Sequence, residues 1–380
     1  MSEIYNESVL KNNEEKLKYQ IAITQIPGIG PVLGKTLVSY CGSPEAVFKE
    51  SKNRLKRIPG IKAGLAESIA GSDVMKRAEE EVVFVKKNDI SVLFFTDEEY
   101  PHRLRHCEDA PVLLYYKGTG SLNHQRVLAL VGTRHATDYG KKMCENIVAD
   151  LAAIDVYIVS GLAYGIDTAA HKSAVKNNLP TVGVLAHGLD MLYPAENKPL
   201  ASKMQDNGGV VTEFISGTNL DPAFFPRRNR IIAGMSDAVI VIESKVDGGG
   251  LITAEIASTY NRDVFAIPGR TDDKFSGGCN YLIKANKAAL VESAEDIIQQ
   301  LGWQKNDGAK KSKPSQLAIF NELKQDEKEL VNILQQNGKL AIDSICLRAK
   351  LPMSKVSSVL LNLEFQGIVR SLPGKMYSIA

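Results

Sequence analysis

Between residues 90 and 300 the chain repeats one pattern: a short apolar run rich in β-branched residues, then Gly or Ser, then a longer amphipathic stretch. The runs are RVLALVG (126–132), VYIVSG (156–161), TVGVLAHG (181–188), GVVTEF (209–214), AVIVIES (238–244) and DVFAIPG (263–269). Near-continuous apolar strands separated by helix-length segments are what a parallel sheet covered on both faces requires. The pattern predicts a doubly wound, mostly parallel α/β domain over residues 89–303. Before it, residues 1–88 pass from a polar opening to a helical pattern punctuated by Gly and Pro, which predicts a small all-α domain.

Residues 304–316 (QKNDGAKKSKPSQ) hold no strongly apolar residue and four Lys, a linker composition. In the unit expected at 317–380, DEKELVNILQQNG (326–338) reads as a helix with an Asp326/Glu329 capping box and Gly338 at its end. Two short helical stretches divided by LP (351–352) follow, then IVRSL and KMYSI around a Pro-Gly turn. Three helices and a hairpin predict a winged helix. Its presumptive recognition helix, 353–367, puts Val356, Val359, Leu360 and Leu363 inward. Outward it offers only Lys355, Ser357, Ser358 and Asn362, which is thin for reading a major groove.

At 380 residues, 44% of them hydrophobic and 24% charged, the chain suits a multidomain globular protein. The net charge of +2 neither demands nor excludes a polyanionic partner, so any nucleic-acid signal must be local. No uncharged apolar run approaches a membrane span, and the polar, acidic N-terminus is unlike a signal peptide. A soluble, cytoplasmic protein is expected. Five scattered cysteines without a CxxC pair predict reduced, mostly buried thiols and neither a disulfide framework nor a zinc site.

Two short repeats, IPGIG (26–30) and IPGIK (58–62), resemble helix-hairpin-helix turns, whose bare backbone N–H groups can approach a phosphate or whose hairpins can simply pack together. GIGPVLGKT (28–36) is not a phosphate-binding P-loop, because that motif needs Gly where Ile29 stands. GxGxxG, HExxH, GxSxG and spaced metal ligands are absent, so no cofactor, metal or catalytic residue is predicted.

In a parallel sheet, ligands bind beyond the carboxyl ends of the strands. Those ends here are small and basic. Gly132, Thr133 and Arg134 offer backbone donors, a hydroxyl and a guanidinium; Ser160 and Gly161 follow the second strand. Asp167 and His171, four apart on one helical face, are either a catalytic couple or, as favoured, a capping acid and a structural histidine. Phe225, Arg227, Arg228, Asn229 and Arg230 join a ring to a cluster of cations, an arrangement suited to a nucleic-acid strand. The competing reading pairs those arginines with acids such as Glu213 or Asp221. Gly248, Gly249 and Gly250 open a helix that carries Thr253 and suit close approach of a ligand backbone.

The segments YPHRLRHCEDAPVLLYYKG (100–118), VGTRHATDYG (131–140), VSGLAYGIDTAAH (159–171), GLDMLYPAENKPL (188–200), FPRRNRIIAGMSDAVIVIES (225–244), GGGLITAEIA (248–257) and VFAIPGRTDDKFSGGCNYLI (264–283) together resemble the bacterial DNA-processing protein A family (DprA, also called Smf). That resemblance implies an extended Rossmann-like domain, a helix-hairpin-helix (SAM-like) domain before it and a winged-helix-like domain after it. It also implies a non-enzymatic homodimer that binds single-stranded DNA without sequence preference and loads the recombinase RecA onto incoming strands in natural transformation. Gly132, Thr133, Arg134, Ser160 and Gly161 would form one wall of a phosphate pocket. Phe225, Arg227, Arg228, Asn229, Arg230, Gly248, Gly249, Gly250 and Thr253 would form the other. The chain departs from the family in carrying Tyr164 for a common Arg, Ala186-His187-Gly188 for Gly-Thr-Gly, and Asn261 before Arg262 for Gly.

Two rivals remain. GGGLITAE faintly resembles the PGGxGTxxE loop of Rossmann-like nucleotide phosphoribohydrolases, although Thr253 and Glu255 are spaced by two and the Pro is missing. A pure adaptor would use the same folds for protein partners alone. The dimer surface is expected at the segment after Gly277-Gly278-Cys279-Asn280, which has exposed-edge character.

Overall fold

A computed structural model describes residues 2–71, 73–303, 325–349, 351–365, 368–372 and 376–379. The chain divides into two compact units on either side of residue 306. The expected 304–316 linker and the Pro-Gly turn of the winged unit lie outside the described residues.

The first unit opens with six helices, α1 (Ser2–Gln25), α2 (Pro31–Cys41), α3 (Pro44–Lys49), α4 (Lys52–Leu55), α5 (Ala63–Gly71) and α6 (Val74–Lys87). Their apolar positions close on a core that includes Ile21, Leu37, Leu55 and Ala66. The two repeats face each other. A Cβ added to Gly28 would lie 2.8 Å from Leu65 of the second repeat, and one added to Gly60 would lie 2.8 Å from Leu33 of the first. Each hairpin thus seats a leucine of the other, which gives the repeats a packing role.

The α/β part follows as β1 (Ser91–Phe94), α7 (His102–Arg105), β2 (Leu113–Gly118), β3 (Val127–Gly132), α8 (Asp138–Leu151), β4 (Tyr157–Ser160), α9 (Ile166–Lys176), β5 (Thr181–Val184), α10 (Lys198–Met204), β6 (Gly208–Thr212), α11 (Phe224–Met235), β7 (Ala238–Glu243), α12 (Gly249–Thr259), β8 (Asp263–Ala266), α13 (Gly277–Lys284), β9 (Ala289–Leu290) and α14 (Ala294–Gln300). The sheet runs β1-β2-β6-β5-β4-β3-β7-β8-β9. Pairing is parallel from β6 to β9, while β1 with β2 and β2 with β6 are antiparallel. All six runs of the sequence pattern are central strands. Alternate residues serve opposite faces. Leu128 and Leu130 of β3 pack with Ile147 and Val148 of α8 and Ala170 of α9. Ala129 and Val131 pack with Ile231 and Ile232 of α11 and with Ala254 and Ala257 of α12.

From β3 the chain steps outward through β4, β5 and β6, then returns to the other side of β3 with β7. Loops leaving β3 and β7 therefore diverge and open a crevice at the carboxyl edge, the switch point of a doubly wound sheet. The helical domain is fastened to this sheet. Glu81 of α6, 1% exposed, accepts from Arg77 (2.9 Å) and from the backbone N–H of Ser216 (3.1 Å), and Lys35 donates to Glu108 O (2.6 Å).

The second unit comprises helices Gln325–Asn337, Ile342–Ala349 and Met353–Phe365 with strands β10 (Leu340–Ala341), β11 (Val369–Leu372) and β12 (Met376–Ile379), ordered β10-β12-β11. Leu334, Ile345, Val356, Leu360 and Leu363 form its core, a winged-helix arrangement. The Asp326/Glu329 capping box is corrected: Gln325 is already helical, and Asp326 pairs with Lys355 at 2.7 Å. All five cysteines are free, with Cys107, Cys144 and Cys279 buried. Among the described residues no helix is long and apolar enough to cross a membrane, and no three His, Cys, Asp or Glu come together to hold a metal ion.

Candidate nucleic-acid interface

The crevice at the switch point, about 110 Å³, is lined by Gly132 at the end of β3 and Arg134 after it, Ala163 after β4 and Asp167 in the first turn of α9, Phe225, Arg228 and Asn229 of α11, and Gly249, Gly250 and Thr253 of α12. Eight of the fourteen residues expected to contact a strand thus meet there; Thr133, Ser160, Gly161, Arg227, Arg230 and Gly248 do not line it.

The β3–α8 loop is held from below. Thr133 N–H donates to Glu243 O at 2.8 Å, and the Glu243 carboxylate, 1% exposed, accepts from Thr137 N–H (2.8 Å) and Thr137 Oγ1 (2.6 Å). Thr137 in turn caps α8 through Gly140 N–H. Gly165, at φ +79°, lets the β4–α9 loop lie against Thr133 O, which accepts from Ile166 N–H (3.2 Å). Between these loops Arg134 is exposed, and its guanidinium lies 4.6 Å from the centre of the Phe225 ring. This cation–π contact leaves the guanidinium edge free for an anion.

Arg228 is 5% exposed and forms the floor. It donates to Val184 O and to Asn229 Oδ1 (3.2 Å), and burial lowers its pKa to about 10, so it stays charged at neutral pH. Asp167, also buried, accepts from Ala163 N–H at 3.3 Å. Burial raises its pKa, and the Arg228 charge and the Ala163 N–H oppose that rise. The two side chains face each other across Gly161, where a Cβ would come within 2.7 Å of an Arg228 Nη. Gly161 therefore makes room for these two buried side chains and does not open a face to a phosphate.

Ser160 is fully buried and donates to Leu130 O at 2.6 Å. His171 is fully buried as well. As a neutral ring its Nε2–H donates to Gly161 O and its Nδ1 accepts from Thr181 Oγ1 (2.7 Å). Burial lowers its pKa to about 4. No hydrogen bond joins it to Asp167, and the geometry is that of the structural histidine.

The arginine cluster divides. Arg227 pairs with Glu213 Oε2 at 3.0 Å and lies over Phe214, while Arg230, 7% exposed, pairs with the same oxygen and donates to Asp109 O. Glu213 is the acid of the competing reading; Asp221 instead accepts from Ala223 N–H. Gly248 caps α12, its N–H donating to Lys245 O at 3.0 Å. Glu255, the acid of the hydrolase comparison, is exposed and lines a separate cavity with Val246 and Lys287.

Two residues escaped the sequence reading. Glu243 had one signal, an acid closing an otherwise apolar strand. Tyr193 had none by itself, yet its ring meets Phe225 edge-on at 6.5 Å. The segment after Gly277-Gly278-Cys279-Asn280, expected as an edge, is the second half of α13 followed by the two-residue edge strand β9, where Leu290 is 45% exposed.

Residues 91–302 match the model of the family described as DNA recombination-mediator protein A, 314–375 that of the DprA winged helix domain, and 21–70 a SAM-like helix-hairpin-helix tandem. The chain is 32% identical to protein Smf of Synechocystis, covering 97% of this chain and 99% of that one, and 43% identical to DNA processing protein DprA of Streptococcus pneumoniae over 57% and 75%. Among solved structures it is similar to the Streptococcus pneumoniae DprA (TM-score 0.61, 34% identity, covering 74% of this chain and 97% of that one). It is similar also to DNA processing protein A of Helicobacter pylori (TM-score 0.51, 28% identity, 56% and 95%), described for its single-stranded DNA binding mode. Matches of this length, running from the helical domain to the winged unit, show that the chain belongs to the DNA recombination-mediator protein A family.

Proposed function

We propose that this protein binds single-stranded DNA without sequence preference and acts as a recombination mediator, a cytoplasmic homodimer that loads RecA onto incoming strands in natural transformation and catalyses no reaction itself. The observation that carries the strand-binding reading is the Arg134–Phe225 pair at the mouth of the switch-point crevice. It presents a guanidinium to a phosphate and an aromatic group to a base, above a second cation, Arg228. The backbone N–H groups at the start of α12 add positive potential on the opposite wall. Nothing in this arrangement distinguishes one base from another, which fits sequence-independent binding. The description of the matching family supports the recombination context, and the exposed edge at β9 suits a self-association surface. Loading of RecA rests on the family resemblance.

Fluorescence anisotropy of a labelled oligo-dT and of its duplex, at two salt concentrations, tests the reading. The expected result is preferential single-strand binding that weakens steeply with salt and falls in Arg134→Ala. Equal affinity for duplex, or binding insensitive to salt, would refute it.

A further inference from the structure

Resting on the strand-binding reading, we propose that Tyr193 and Tyr164 form a second stacking platform, which carries the same strand away from Phe225 along the ends of β5 and β4 by receiving its unpaired bases. Tyr164 is 43% exposed and Tyr193 41%. Single exposed aromatics are common on protein surfaces, but these two continue a row. Arg134 covers the Phe225 ring, Tyr193 makes a T-shaped contact with that ring at 6.5 Å, and the loop after β4 brings Tyr164 alongside the Tyr193 loop.

Both loops are braced for this task. The Tyr193 N–H donates to His187 Nε2 at 3.2 Å, and the buried His187 ring is fixed through Nδ1 to Gly188 O at 2.8 Å. Asn197, 5% exposed, donates to Leu162 O (2.9 Å) and Thr168 Oγ1 (2.8 Å), stitching the loop after Tyr193 to the loop and helix that flank Tyr164. The Tyr164 hydroxyl donates to Glu196 Oε2 at 2.8 Å, which holds the ring while leaving its face open. Rings fixed in advance lose little freedom when a base stacks on them. The charge pattern sets the orientation of the strand. Glu196 repels phosphates, whereas Arg134 attracts them, so the sugar-phosphate backbone runs on the Arg134 side and the bases turn toward the tyrosines.

The test compares full-length wild type, the Tyr164→Ala/Tyr193→Ala double variant, the corresponding double Phe variant and Arg134→Ala. Each is titrated against oligo-dT and against an equally long strand of abasic residues. The double Ala variant should bind oligo-dT at least about tenfold more weakly and the abasic strand as wild type does, and the double Phe variant should restore oligo-dT binding. Unchanged oligo-dT affinity in the double Ala variant, or an equal loss on the abasic strand, would overturn the platform while leaving the Arg134 site standing. Failure of wild type to bind either strand, or undiminished binding by Arg134→Ala, would overturn the parent reading and the platform with it.

Discussion

Arg134→Ala and Arg227→Ala remove the same formal charge from neighbouring parts of one surface, yet their effects on strand binding should differ widely. Arg227 is held by both oxygens of Glu213, at 3.2 and 3.0 Å, and Arg230 shares that acid, so Arg227 must leave a carboxylate before it can meet a phosphate. Arg134 lies exposed over the face of Phe225, with no carboxylate within ion-pair distance among the described residues. A charge-assisted hydrogen bond contributes about 1.5–3 kcal/mol, and an exposed cation–π contact that orients the ring adds about 0.5–1 kcal/mol. Arg134→Ala should therefore weaken single-strand binding by about 30-fold or more, using about 1.4 kcal/mol per factor of ten. The dependence of log affinity on log salt should flatten by about 0.7, one phosphate contact on a single strand. Arg227→Ala should cost no more than about threefold and leave the slope unchanged. Anisotropy titrations of labelled oligo-dT across a salt series measure both quantities. Equal slope changes in the two variants would refute the reasoning, since they would mean that Glu213 does not occupy Arg227.

Gly161→Ala should destabilise the protein by about 1–3 kcal/mol, because the new methyl group would meet Asp167 and Arg228; a melting temperature equal to wild type would contradict this. His171 gives a pH dependence. Its folded-state pKa is lowered to about 4 by burial, so the unfolded chain takes up a proton first as pH falls below its ordinary 6.5. The stability attached to the neutral ring is complete above pH 6.5 and is lost toward pH 4, about 3 kcal/mol in all. Urea unfolding at pH 7.5 and 4.5 should show a smaller acid loss in His171→Gln than in wild type, and identical losses would remove His171 as the cause.

The parallel strands were legible because each is buried on both faces and must be apolar throughout. β9, two residues long, carries no such signature, and β1 and β2 pair antiparallel at the other edge, beyond the repeating strand-helix pattern. The glycine-rich turns and Phe225 could be located in sequence because backbone approach and stacking are properties of residue type. The sorting of the arginines could not, since it depends on Glu213, 14 positions before Arg227 in sequence and beside it in the fold. Ser160 shows the same limit: its hydroxyl looks available in a Ser-Gly turn, and only the neighbouring strand reveals that Leu130 O takes it.

The clasp between α6 and the loop following β6 ties the helical domain to the geometry of α11. Ser216 lies on the segment that leads from Glu213 to Phe224, and its backbone N–H is anchored by a carboxylate of the preceding domain. A chain trimmed of residues 1–88 would keep every group lining the crevice and still lose the strut that tensions the approach to it. The helical domain is thus a buttress: a shortened protein would hold Phe225 and Arg228 on a slackened lead-in, with backbone amides near Ser216 exchanging faster with solvent than in the full chain.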